Sequence, residues 1–151
     1  MSMKRLLLLI ILSIAVMMAG LTTVGRAGPR IHIVAITILA SQDSKFRDPR
    51  LSALIGEMES VFRYSSYRQL SRDRMNLGIG DTGVASLPGK RQLKITPIRV
   101  SGNRAELRVM IFKQGQQIFQ TVIQLLNGGS MTVGGPKHKN GYLLFNISSS
   151  F

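Results

Sequence analysis

The sequence predicts an α+β fold: a mostly antiparallel sheet of about six to eight short strands, sandwich or open-barrel-like, with one amphipathic helix. An N-terminal signal or anchor helix is expected to precede it. Three observations carry the prediction. Ile31–Ala40 reads IHIVAITILA, an apolar run rich in β-branched residues. Apolar residues at helical spacing follow Asp48-Pro49. From Tyr67 onward the apolar period is two, interrupted by turns rich in Gly and Pro. Hairpin-length connections cannot join parallel neighbours, so the sheet must be mostly antiparallel.

The chain opens with Lys4 and Arg5, then the apolar run Leu6–Ala19, softened at Gly20–Val24 and closed by Gly25-Arg26-Ala27. A positive start, an apolar middle and a small-x-small exit are the parts of a secretory signal. Leu6–Val24 is also long enough to cross ~30 Å of hydrocarbon as a retained anchor. Both readings place the rest of the chain outside the cytoplasm, in a periplasmic or extracellular space or held at the membrane by residues 6–24. Residues 1–27 are therefore assigned to a signal peptide or membrane anchor, and 28–151 to one α+β domain.

Of the 20 basic residues, Lys4, Arg5 and Arg26 precede residue 28, leaving 17 against 7 acidic ones and a formal charge of +10. A field of that sign attracts polyanions such as anionic lipid headgroups or acidic glycans, and it also keeps a protein dispersed. Nucleic acid is the less favoured ligand, because export removes the chain from most of it. The chain has no cysteine, so its stability must come from an apolar core without disulfides.

Ile31–Ala40 reads as a strand buried on both faces or capped by the helix after it. Asp48 suits a helix N-cap and Pro49 the first helical position, where a missing N–H costs nothing. Leu51, Leu54, Ile55, Met58 and Phe62 then form one apolar stripe, and the helix is expected to stop near Arg63–Tyr64. Short strands follow, with turns at Gly80–Gly83, Pro88-Gly89, Ser101–Asn103, Gly115 and Asn140-Gly141. Pro97 cannot donate to a ladder and implies an edge or a bulge. Ala105, Leu107, Val109 and Ile111 form the clearest alternating strand. The C-terminal hairpin is expected to offer an exposed edge.

Catalytic and metal chemistry find little support. His32 lies in an apolar strand and His138 between two lysines, so neither suits a metal site. No pair of carboxylates is set for hydrolysis, with Glu106 flanked by Arg104 and Arg108. There is no Gly-x-Ser-x-Gly nucleophile turn. Gly78-Ile79-Gly80-Asp81-Thr82-Gly83 is similar to a dinucleotide loop but precedes a strand, not the helix N-terminus a phosphate needs. No cofactor, no metal and no catalytic residue is expected.

The segment with most functional content runs from Arg63 to Arg74. It holds four arginines and two tyrosines in twelve residues, and the candidate binding face comprises Arg63, Tyr64, Tyr67, Arg68, Arg72 and Arg74. In a regular strand Arg68, Arg72 and Arg74 would share one side. Arginine forks suit phosphate or carboxylate, and tyrosines pack at interfaces or anchor a helix end. The stretch Gly128–Pro136 resembles the glycine-flanked hairpins of bacterial outer-membrane secretins, a resemblance that carries no site residue across. The terminal Phe151 is similar to the closing aromatic of outer-membrane barrels, but the helix and the positive charge speak against a barrel.

The expected function is an exported, non-enzymatic binding or assembly module of a bacterial-type cell envelope. Its partner would be an envelope protein met through sheet edges or the Arg/Tyr face. The alternative is a basic protein that binds an anionic lipid surface or another polyanion.

Overall fold

The computed structural model describes Met3, Gly25 and residues 27–151. The signal-or-anchor reading of residues 1–27 therefore falls almost entirely outside the described residues. Among these, no helix is long and apolar enough to cross a membrane.

Eight strands form two four-stranded antiparallel sheets. They are β1 (Ile31–Ser41), β2 (Ser66–Leu77), β3 (Gly83–Leu87), β4 (Arg91–Ser101), β5 (Arg104–Lys113), β6 (Gln116–Leu126), β7 (Ser130–His138) and β8 (Gly141–Ser150). One sheet has the order β2-β1-β8-β7 and the other the meander β3-β4-β5-β6. The inward residues of both sheets meet in one core, where Ile31 and Ile33 of β1 and Leu143, Phe145 and Ile147 of β8 face Leu93, Ile95, Leu107, Val109 and Ile111. The mostly antiparallel sheet expected from the period-two pattern is thus present as a two-sheet sandwich.

β1 lies between β2 and β8 and is covered on both faces, which explains its nearly continuous apolar sequence. Its inner side meets the opposite sheet, while Ile36, Ile38 and Ala40 on the outer side pack under the helix. That helix is shorter than expected. Pro49–Leu51 form a 3-10 turn, and only Ser52–Val61 (α1) is α-helical. Leu51 and Met58 are buried beneath it, with Leu54, Ile55 and Phe62 at the rim, so the predicted stripe is the one that faces the sheet.

Pro97 sits at a bulge in β4, between the pairings of Pro97 with Leu107 and of Arg99 with Glu106. β3 pairs with β4 only as far as Ile95, so β4 outruns it. The Pro97 carbonyl accepts from Gly80 N on that vacated side, and its N faces the same way. The missing donor therefore costs no ladder bond.

Two expectations change. β8 is an inner strand, so the exposed edge of the C-terminal hairpin belongs to β7. Asn127-Gly128-Gly129 and Val133-Gly134-Gly135-Pro136, which read as turns on either side of a brief strand, also part company: the first carries the chain from β6 in one sheet to β7 in the other, and the second lies inside β7, which runs on to His138.

Candidate functional site

The six residues of the predicted Arg/Tyr face do not form one surface. Tyr67 is fully buried under α1 and donates its hydroxyl to the Phe62 carbonyl at 2.8 Å, closing the helix end. Tyr64 packs edge-on against it, with centroids 6.4 Å apart, and also meets Tyr142. Burial holds both phenols above their ordinary ionisation range. These two tyrosines anchor the end of the helix. Arg63 is exposed beside them, and its carbonyl accepts from the Gln42 side chain.

The arginines of β2 are separated by a bulge. Thr37 pairs with Ser71 and Ile38 with Gln69, leaving Leu70 as the extra residue. Directly opposed residues share a face, and one inserted residue reverses the alternation beyond it. Arg68 pairs with Leu39, whose side chain belongs to the inter-sheet core, whereas Arg72 pairs with Ile36 and Arg74 with Val34 on the helix side. Arg68 accordingly leaves the other two and lies over the Phe46 ring, 4.5 Å from its centroid. The expected common face of Arg68, Arg72 and Arg74 reduces to Arg72 and Arg74. Arg50, which sequence reasoning passed over, joins Arg72 at a shallow groove of about 280 Å³ floored by Val34, Ile36, Asn146 and Ser148.

Arg50 is held by Asp48. The buried Asp48 carboxylate accepts from Arg50 N at 3.1 Å, from Arg50 Nε at 3.0 Å, from its terminal nitrogen at 2.7 Å and from Gln69 N at 3.1 Å. Asp48 N donates in turn to the Tyr67 carbonyl at 3.0 Å, and Tyr67 N to that of Phe46 at 2.8 Å. The capping residue predicted for the helix thus also fastens residues 46–48 along the free side of β2. The Arg50 side chain, followed by the backbone N–H groups of Arg50 and Gln69, holds the Asp48 carboxyl well below its ordinary 3.8 despite burial. A depressed carboxylate contributes stability that is present above its unfolded value and lost as pH falls toward the folded one. The denaturation midpoint of the wild type should therefore drop more steeply than that of Asp48→Asn between about pH 4 and pH 2. The variant should already be the less stable at neutral pH. Parallel slopes in a pH series of urea melts would remove Asp48 from this role.

Edge strands offer unpaired backbone groups to other chains and are usually protected by charge, proline, bulges or brevity. β2 is covered by residues 46–48 at one end and carries Arg72 and Arg74 beyond them. β3 has only five residues. β7 contains Gly134, Gly135, Pro136 and Lys137 around a register shift. β6 differs: its eleven residues QQIFQTVIQLL hold no charge, no proline and no glycine. A bulge at Ile118 disturbs only its start, and Phe119–Leu126 pair without a break to β5. Ile118, Val122 and Leu126 are 46%, 49% and 50% exposed.

Among the described residues, no group of three or more His, Asp or Glu side chains is placed to hold a metal ion. Glu106 pairs with Arg99 at 2.6 Å and Gln124 at 3.0 Å across the strands, not with Arg104 or Arg108 along its own. His138 is pushed below its ordinary value by burial first, and then by Lys139 and Arg91. No protein-family model, no curated protein and no solved structure matches this chain.

Proposed function

We propose that the chain is an exported, non-enzymatic binding or assembly module of a bacterial-type cell envelope, and that it takes an extended segment of a partner protein onto β6. The observation that carries the reading is the unguarded β6 edge, set against three edges that are covered, short or interrupted. Strand addition draws its affinity from main-chain hydrogen bonds and its selectivity from alternate side chains. Val122 and Leu126, both on the outward side of β6, would supply apolar contacts for such a strand.

The test is a pull-down with the tagged full chain from detergent-solubilised envelopes. Val122→Lys places an edge-guarding charge at a half-exposed position that folding tolerates. Protein retained by the wild type is expected to disappear with Val122→Lys and to persist with Arg72→Gln/Arg74→Gln. Loss with the arginine pair alone would move the contact to the remnant of the Arg/Tyr face. Capture of nothing above background would end the protein-partner reading.

A second reading, a basic polyanion or membrane-surface binder, is favoured by the distribution of charge. Lys90, Arg91, Lys113, Lys137 and Lys139 gather around three hairpin turns at one end of the sandwich. The four ion pairs among the described residues involve Arg30, Arg47, Arg50 and Arg99 instead. The five cations at the hairpin end thus have no carboxylate partner there. Binding driven by this charge would weaken steeply with added salt.

A further inference from the structure

We infer that the strand added to β6 is β6 of a second copy of this chain, in an antiparallel pair whose two-fold axis passes beside Val122. The inference rests on the strand-addition reading above and names its partner.

The direction of the backbone groups locates the free edge. Asn127 N donates to the Asn103 carbonyl at 2.8 Å, toward β5. The N–H and C=O of one residue lie on the same side of a strand, and that side alternates from residue to residue. Pairing with β5 is unbroken from Phe119 to Leu126. Leu125, Ile123 and Thr121 therefore turn their backbone groups to β5, while Leu126, Gln124, Val122 and Gln120 turn theirs to the free side. The Leu126 carbonyl agrees with this, since it accepts from Gly129 N at 2.8 Å, outside the ladder. The main-chain groups of Gln120, Val122 and Gln124 are left for another chain.

The same stretch reads alike in both directions. Counting outward from Val122, Thr121 is matched by Ile123, Gln120 by Gln124, Phe119 by Leu125 and Ile118 by Leu126. A two-fold interface uses one surface twice, so that surface must be complementary to itself. Opposed about Val122, two copies set Val122 against Val122 and Gln120 against Gln124, and Leu126 reaches Ile118 at the bulge. Val122 and Val122 then form a hydrogen-bonded pair, as do both Gln120–Gln124 pairs. Gln124 donates its amide nitrogen to Glu106 at 3.0 Å, leaving its amide oxygen for Gln120 of the second copy. An unrelated partner strand places no such demand on β6.

Charge points the same way. Residues 28–151 are strongly basic, so two copies repel wherever their cations meet. β6 carries no charge. Of the charged residues beside it on β5, Glu106 lies between Arg104 and Arg108 and binds Arg99. An acidic foreign segment would be drawn instead to the cations of β2 or of the hairpin end. Self-pairing at β6 joins two four-stranded sheets into one of eight strands.

The experiment co-expresses two full-length copies with different tags, extracts them in neutral detergent and measures how much of one is retained through the other. Wild-type copies are expected to co-purify. Because Val122 opposes itself, Val122→Lys in both copies sets lysine against lysine and should lower retention roughly tenfold. Val122→Lys in one copy with Val122→Glu in the other should restore it, which a foreign strand cannot do and which shows that both variants fold. Val84→Lys adds the same charge at an equally exposed position on the opposite edge of the sheet and should leave retention unchanged. Retention that survives Val122→Lys in both copies, a mixed pair no better than the lysine pair, or equal loss with Val84→Lys would each overturn the self-pairing. Wild-type copies that fail to co-purify, while the tagged chain still captures another envelope protein through Val122, would overturn it and leave the strand-addition reading standing. Capture of neither would overturn both.

Discussion

Gly141→Ala is expected to destabilise the protein by roughly 2–4 kcal/mol, well above the cost of an ordinary surface change. Gly141 opens β8 and faces Ser41 of β1 on one side and His138 of β7 on the other. A Cβ there would collide with the Ala40 carbonyl oxygen and lie 3.0 Å from both the Ala40 carbonyl carbon and the Ser41 Cβ. These are mostly main-chain atoms of an inner strand, which β2 and β8 hold on both sides. Neither neighbour can yield without breaking ladder bonds. Asn-Gly ordinarily signals a turn in which glycine supplies the left-handed conformation. Here that conformation falls on Lys139, with φ 51°, and glycine is required at 141 for close approach instead. Lys139→Gly should accordingly change stability by less than about 1 kcal/mol, since relief of strain opposes the added freedom of the unfolded chain. Urea denaturation of the two variants separates the explanations. A mild Gly141→Ala with a strongly stabilising Lys139→Gly would return the glycine to its turn role.

The same residues show what one sequence discloses and what it withholds. Alternation in Ala105, Leu107, Val109 and Ile111 identified an inner face that is fully buried. The stripe Leu51–Phe62 identified the side of α1 that meets the sheet, because helical period and burial are both local properties. Pairing is not local. A period-two pattern says that a strand has one buried side, but not which strands share a sheet. The division into β2-β1-β8-β7 and β3-β4-β5-β6, with β8 inside and β7 at the edge, was therefore beyond reach. Bulges fail for the same reason. Nothing in Tyr-Arg-Gln-Leu-Ser-Arg marks Leu70 as the inserted residue, since the bulge is defined by Ile38 and Thr37 on the neighbouring strand. That single insertion divided the predicted arginine face. Arg50 was overlooked because it stands two residues from an N-cap, where a helix surface residue is the usual occupant. The absence of charge in β6 was legible, but it acquires meaning only once that strand is known to lie at an edge.

Phe145 and Gly135 are expected to behave as one packing unit, with the largest single loss coming from Phe145→Ala at about 3–5 kcal/mol. The Phe145 ring is fully buried in the inter-sheet core, and its residue pairs with Thr37 on one side and Val133 on the other. The ring occupies the space a side chain at 135 would fill. A Cβ on Gly135 would collide with the ring edge and would stand 2.9 Å from the Leu143 carbonyl oxygen. β7 loses its regular pairing between Gly134 and Lys137, and this departure lets the ring pass over a bare backbone. Gly135→Ala alone should therefore cost roughly 1–3 kcal/mol by overpacking. In a Phe145→Leu background the collision with the ring is gone and only the approach to Leu143 remains, so the second cost should shrink. The resulting coupling, about 1–2 kcal/mol in a double-mutant cycle, is of the size expected for residues in contact. Additive losses would mean that the glycine serves β7 alone and that the ring does not depend on it. The cycle also bears on the β6 proposal. β7 follows β6 through the Asn127–Gly129 turn and lies at the corresponding edge of the other sheet. The register shift and glycines of β7 keep that edge irregular, which leaves the uncharged β6, paired without a break from Phe119 to Leu126, as the edge on which a foreign strand can form a continuous ladder.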